Sequence, residues 1–310
     1  MENLYKEYDR IIEVFKNVSE YKEILKKIDY FYQYLTNMNL YTNNFFAMPI
    51  AFNGLPLITK LPNEMTEEVL MSLFENIKSA HMLDLGILLG NCKRTLYSFR
   101  LCIEVVNISD ALTLFRRFKD DLFLLIYFIR LSKPKDYDYD TETKLKQWNK
   151  YVKDAKDWAS NRMKGVYYQK VIGLLKKDEL INQLDKKISI FQYLIDVTDK
   201  LNNYAHSNGM NFLNDSSPIH NRKGSAILLK YINNELNTVI AYLITILFYF
   251  SPEFLMASDF IDYKDAGLEP PEGCQYLVAP FHQRLIDDVL HKVNPALKDF
   301  LKNNTSMNII

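Results

Sequence analysis

The stretch of this chain best suited to chemistry is LNNYAHSNG, residues 201–209, where a histidine arrives at the end of a long helical pattern. Imidazole is the side chain that exchanges protons near neutral pH, and a helix end beside a loop would leave His206 open to solvent. Asn202, Asn203, Tyr204, Ser207 and Asn208 crowd around it in sequence. Asparagine competes for backbone hydrogen bonds and weakens a helix interior, so this cluster asks for a partner that uses its amides. Asn208-Gly209 has a structural explanation, as the left-handed pair that stops a helix. A second group of charges lies in FRRFKDDL, residues 115–122, which puts Arg116 one turn from Asp120 and Arg117 one turn from Asp121. Exposed pairs of this kind add only about 0.2–0.5 kcal/mol each to a helix. Here the chain becomes apolar on every face one turn later, so some of these charges should lie near the core, where a charge needs a partner.

With this arrangement the chain resembles the HEPN superfamily of all-helical toxin and antiphage-defence proteins. Its members place an arginine four to six residues before a histidine late in a long helix, and many are metal-independent ribonucleases. In this sequence Lys200 stands at the arginine position, with five residues between it and His206. Lysine offsets phosphate charge but lacks the planar two-point contact of guanidinium. The resemblance implies an endoribonuclease acting through His206 without metal or cofactor. Asp121 or Asp120 would orient the histidine, and Arg117 or Arg116 would supplement the cation of Lys200. It further implies RNA as substrate and a homodimer that pairs two such helices. The rival expectation is a non-catalytic helical adaptor that uses the polar helix end and the loop PPEGCQYLVAP to bind a protein partner.

Other combinations carry less. Asp287 and His291 stand at i and i+4, but no third ligand is in view, so no metal site is expected. Cys274 has no histidine near it in sequence, and Arg94, Tyr97 and Arg100 read as the solvated stripe of an amphipathic helix. Glycine-rich phosphate loops, GxSxG and HExxH are absent from the sequence.

The scaffold that carries these residues reads as an all-α bundle of long helices. Nine glycines and ten prolines in 310 residues leave long stretches without a helix breaker. Apolar residues recur at helical spacing over 2–38, 66–106, 110–132, 142–168, 178–205, 225–250 and 281–293, with a short last helix at 295–302. Ser109 is the expected N-cap of the third of these. Residues 43–64 hold three prolines and Asn53-Gly54, the pattern of an extended connector with a turn. The loop KPKDYDYD, 133–140, is the best boundary between an N-terminal lobe, 1–133, and a C-terminal lobe, 141–310, in a single domain or two tightly packed lobes. Thirty-eight basic and 38 acidic side chains cancel, which argues against a generic polyanion binder. Three cysteines without CxxC spacing and a charged start, MENLYKEYDR, fit a cytoplasmic protein. The apolar run 238–250 is shorter than the roughly 18–20 residues a membrane span needs, and it reads as a buried core helix.

Overall fold

LFLLIYFIRL, 122–131, has no polar face to turn to solvent, and it forms the second half of a central helix. The computed structural model describes residues 2–45, 49–51, 82–159, 162, 168–210, 212 and 222–310. Its helices are α1 (Glu2–Lys16), α2 (Ser19–Phe45), α3 (Leu85–Glu104), α4 (Ile108–Ser132), α5 (Glu142–Ala159), α6 (Tyr168–Leu175), α7 (Glu179–Ile188), α8 (Ile190–Ala205), α9 (Arg222–Phe250) and α10 (Asp259–Asp265). Helix α11 (Pro280–Leu285) continues through a π-helical turn, Ile286–Leu290, into His291–Val293, and α12 (Pro295–Asn304) follows. Strands β1 (Pro49–Ala51) and β2 (Met82–Asp84) pair antiparallel, a small addition to an all-helical fold. The expected turn at Asn53-Gly54 and the helix start at 66–81 lie outside the described residues, as does most of the loop after Gly209.

Helix α4 packs against α3, α5, α6, α8 and α9, and α2 packs against both α3 and α9. One hydrophobic cluster therefore runs from Phe15 to Ile309, making a single compact domain. The 238–250 run sits inside this cluster, and among the described residues no helix is long and apolar enough to cross a membrane.

The loop at 133–140 ties the two halves together. Arg130 donates to both carboxylate oxygens of Asp138, at 2.6 and 2.7 Å, and both side chains are fully buried. Lys133 reaches across to the carbonyl of Phe250 at 3.0 Å and pairs with Glu253. Lys135, Tyr137 and Tyr249 all donate to Asp178, which also caps α7 by accepting from the backbone of Leu180 and Ile181. Burial alone would raise the pKa of Asp178, but the bonds from Tyr137 and Lys135 hold it below the usual value.

Three local details differ from the sequence expectation. Asn107, not Ser109, caps α4, with its Oδ1 accepting from Asp110 N at 3.4 Å, and the helix starts at Ile108. The pattern over 142–168 is interrupted, because α5 ends at Ala159, Arg162 lies outside any helix and Tyr168 opens α6. The pattern over 178–205 is two helices, broken at Ser189 in a left-handed conformation, φ 55° and ψ 41°. The break is held by Asp185, whose carboxylate accepts from Phe191 N at 2.8 Å, so a side chain caps what no glycine or proline announces. Left-handed backbone costs a residue with a Cβ about 1–2 kcal/mol. Ser189→Gly is accordingly expected to raise stability by about 0.5–1 kcal/mol after the added freedom of the unfolded chain is subtracted. A fall in the urea midpoint would refute strain at this position.

Candidate functional site

The charged turn of α4 and the asparagine end of α8 meet across a cleft of about 460 Å³. Arg116, Asp120, Asp121, Phe123 and Leu124 line it from α4, and Thr198 and Asn202 from α8. Trp158 at the end of α5, with Tyr168 and Val171 on α6, closes the remaining side. Helical spacing explains the selection, since Arg116 and Asp120 are one turn apart on α4, and Thr198 and Asn202 one turn apart on α8.

Lys119 supplies a cation beneath the cleft. It is fully buried, its Nζ lies 2.6 Å from Asp120 Oδ1 and 4.3 Å from the centre of the Tyr168 ring, and Tyr168 stacks on Phe123 at 4.5 Å. Burial pushes the Lys119 pKa down, against the pull of Asp120. Burial also raises the Tyr168 hydroxyl. The second oxygen of Asp120 stands 3.7 Å from Arg116 Nε, an ion pair too long to be a hydrogen bond. Arg116 Nε and Asn202 Oδ1 are both buried atoms without a hydrogen-bond partner among the described residues.

Asp121 turns instead toward α3. It accepts from Asn91 Nδ2 at 2.9 Å and Thr95 Oγ1 at 3.1 Å, with Arg117 Nε at 3.9 Å. Burial raises its pKa, and the Thr95 bond and the Arg117 charge oppose the shift. Arg117 itself is 64% exposed and is not part of the lining.

Helix α8 ends in a Schellman arrangement, with Ser207 N bonded to Tyr204 O and Asn208 N to Asn203 O. The left-handed residues are Ser207, φ 53°, and Gly209, φ 82°, where the sequence suggested the pair Asn208-Gly209. His206 is the C-cap, exposed, and its ring makes no hydrogen bond or ion pair among the described residues. It is not among the cleft-lining residues, but Thr198, Asn202 and His206 form an i, i+4, i+8 row, so it stands one turn, about 6 Å of helix rise, beyond Asn202. Asn203, Ser207 and Asn208 are exposed, and Tyr204 packs at the edge of the core. Lys200 is two residues from Asn202, about 200° around the helix. Its Nζ lies over the Tyr231 ring of α9 at 5.3 Å.

Of the residues singled out from the sequence, Arg116, Asp120, Asp121 and Asn202 line the cleft; Trp158, Tyr168 and Thr198 line it, and Lys119 lies against Asp120, without having been singled out. Lys119 carried a legible signal, since it stands four residues after buried Phe115 and next to buried Phe118, on the inward face. Trp158 and Tyr168 carried none. Among the described residues no group of three metal-ligating side chains occurs, and Asp287 is engaged by Lys298 at 2.6 Å and Gln283 at 3.0 Å. Arg100 pairs with Asp29 and Glu104, and Cys274 is buried.

No family model matches the chain. Neither the curated proteins nor the solved structures contain a match to it.

Proposed function

We propose that this chain is a metal-independent endoribonuclease whose substrate strand lies across the α4–α8 cleft and reaches His206 at its end. The observation that supports this is the pair of buried, unpartnered polar atoms, Arg116 Nε and Asn202 Oδ1, on one cleft beside an exposed histidine one turn further along the same helix row. His206 takes or gives the proton at the 2′-hydroxyl or the leaving 5′-oxygen. Arg116 or the exposed Arg117 offsets the charge that builds on the phosphate, since Lys200 lies over the Tyr231 ring of α9. The homodimer implied by the HEPN resemblance would set two such helix ends side by side.

The test is cleavage of single-stranded and structured RNA in EDTA. His206→Ala is expected to slow cleavage by about 10²–10⁴-fold, the usual contribution of a positioned acid or base. Wild-type protein that leaves RNA intact, or a His206→Ala variant that cuts as fast, rejects the assignment.

A second reading, a helical adaptor for a protein partner, is favoured by the surface around residues 268–277. Leu268, Tyr276 and Leu277 are 58%, 40% and 41% exposed. The backbone beneath them is fixed by bridges from Met256 to Val278 and from Leu277 to Asn308. Loss of partner capture in a Tyr276→Asp, Leu277→Asp variant that keeps its melting temperature would support it.

A further inference from the structure

The cleft combines flat walls with a polar edge that holds acceptors and donors side by side. The half-buried indole of Trp158, the Tyr168 ring and Phe123 supply the walls. On the acceptor side stand Asn202 Oδ1, buried and unpartnered, and Asp120 Oδ2, whose contact with Arg116 is too long for a hydrogen bond. Thr198 donates its hydroxyl proton to Leu194 O at 2.7 Å, so toward a ligand its oxygen can only accept. On the donor side stand Arg116 Nε and the Tyr168 hydroxyl, both buried and unpartnered. The charged groups of the lining are Arg116 against Asp120 and Asp121, so the cleft offers no cationic excess to hold a polyphosphate. Its volume of about 460 Å³ is in the range of sites for small organic ligands.

A planar ligand matching this edge must carry several N–H donors side by side and an acceptor next to them. Guanine does so, with N1–H and the N2 amino group adjacent on one edge and O6 and N7 accepting beside them. Adenine presents a bare N1 where guanine has N–H, and uracil has one ring N–H, so each leaves a carboxylate or amide oxygen facing a lone pair or nothing. We infer that the α4–α8 cleft is a guanine pocket: an unpaired guanine stacks on Trp158, donates from N1 and N2 to Asp120 and Asn202, and accepts at O6 or N7 from Arg116. This rests on the reading of the cleft as an RNA site only for the source of the base, which is either a strand or a free nucleotide.

Tryptophan fluorescence reads the pocket directly. The chain has two tryptophans, and Trp148 is buried against Arg130, so a ligand-dependent change reports on Trp158. The full chain is titrated with GMP, AMP, CMP and UMP, and with uncleavable 2′-deoxy oligonucleotides that carry one G or none. Calorimetry repeats each titration without relying on the indole. Quenching selective for guanine is expected, weakened about tenfold in Asn202→Ala and in Asp120→Asn, the loss of one strong hydrogen bond. Trp158→Phe should abolish the optical signal while calorimetry still detects binding. Melting curves identify a variant that has unfolded, and Asn202→Ala, at the rim, serves if Asp120→Asn does so through its partner Lys119. Binding of the G-containing strand identifies a nucleic-acid strand as the source, and binding of GMP alone identifies a free nucleotide. Equal affinity for all four bases, no binding of any, or guanine binding unchanged in both variants overturns the inference. Guanine-selective binding without RNA cleavage leaves the pocket standing and removes the nuclease, whereas cleavage without base selectivity does the reverse.

Discussion

Asp138→Ala is expected to lower the stability of the fold by about 3–5 kcal/mol, the effect of stranding one member of a buried ion pair. Arg130 would lose both short hydrogen bonds to the carboxylate while remaining fully buried among Trp148, Phe250 and Tyr137. What would remain is one bond from its Nη1 to Lys133 O at 2.9 Å. Lys135 N would lose its acceptor as well, so the loop at 133–140 would loosen with the pair. The double variant Arg130→Met, Asp138→Leu should be much less affected than Asp138→Ala, since no unpaired charge is left inside. Urea denaturation measures both, and a single-variant loss below about 1 kcal/mol would contradict the burial of the pair.

Acid should destabilise the protein through His282. The imidazole is fully buried, with its Nδ1 2.8 Å from the Tyr34 hydroxyl and its ring against Tyr34, Phe248 and Phe281. Burial pushes its pKa from 6.5 down to about 3, and a backbone bond with Phe254 opposes only part of the shift. The folded state therefore binds this proton more weakly than the unfolded chain. The stabilising effect of the neutral ring is complete above pH 6.5 and is lost as pH falls toward about 3. Across that window the loss approaches about 1.4 kcal/mol per pH unit. Carboxylates contribute a slope of their own below pH 5, so the informative quantity is the difference between wild type and His282→Gln. That difference should shrink steadily from pH 6.5 downward, and parallel stability curves would exclude the histidine as the cause.

Much of this architecture is local and can be read along the chain. The apolar stretch of α4, the helix end at His206 and the core helix at 238–250 follow from periodicity and from the scarcity of glycine and proline, because helical hydrogen bonds join residues four apart. The breaks at Ser189 and after Ala159 could not be read this way. At Ser189 the cause is a carboxylate six residues before the amide it caps, with neither glycine nor proline to mark the position.

Periodicity and composition are enough to make the protein helical, to put α4 at its centre and to gather charges and amides at two helix turns. Which of those groups face one another follows from how the helices pack. The packing of α8 on α4 turns Asn202 toward Arg116 and Asp120 and carries Lys200 to the opposite side, against Tyr231. The packing of α3 on α4 draws Asp121 away to Asn91 and Thr95, and α5 and α6 bring in Trp158 and Tyr168. The loop at 133–140 carries Asp138 into a buried pair with Arg130 and Lys135 to Asp178 for the same reason. Periodicity specifies which face of a helix is apolar, whereas the neighbour that covers the face depends on contacts between residues far apart in the chain.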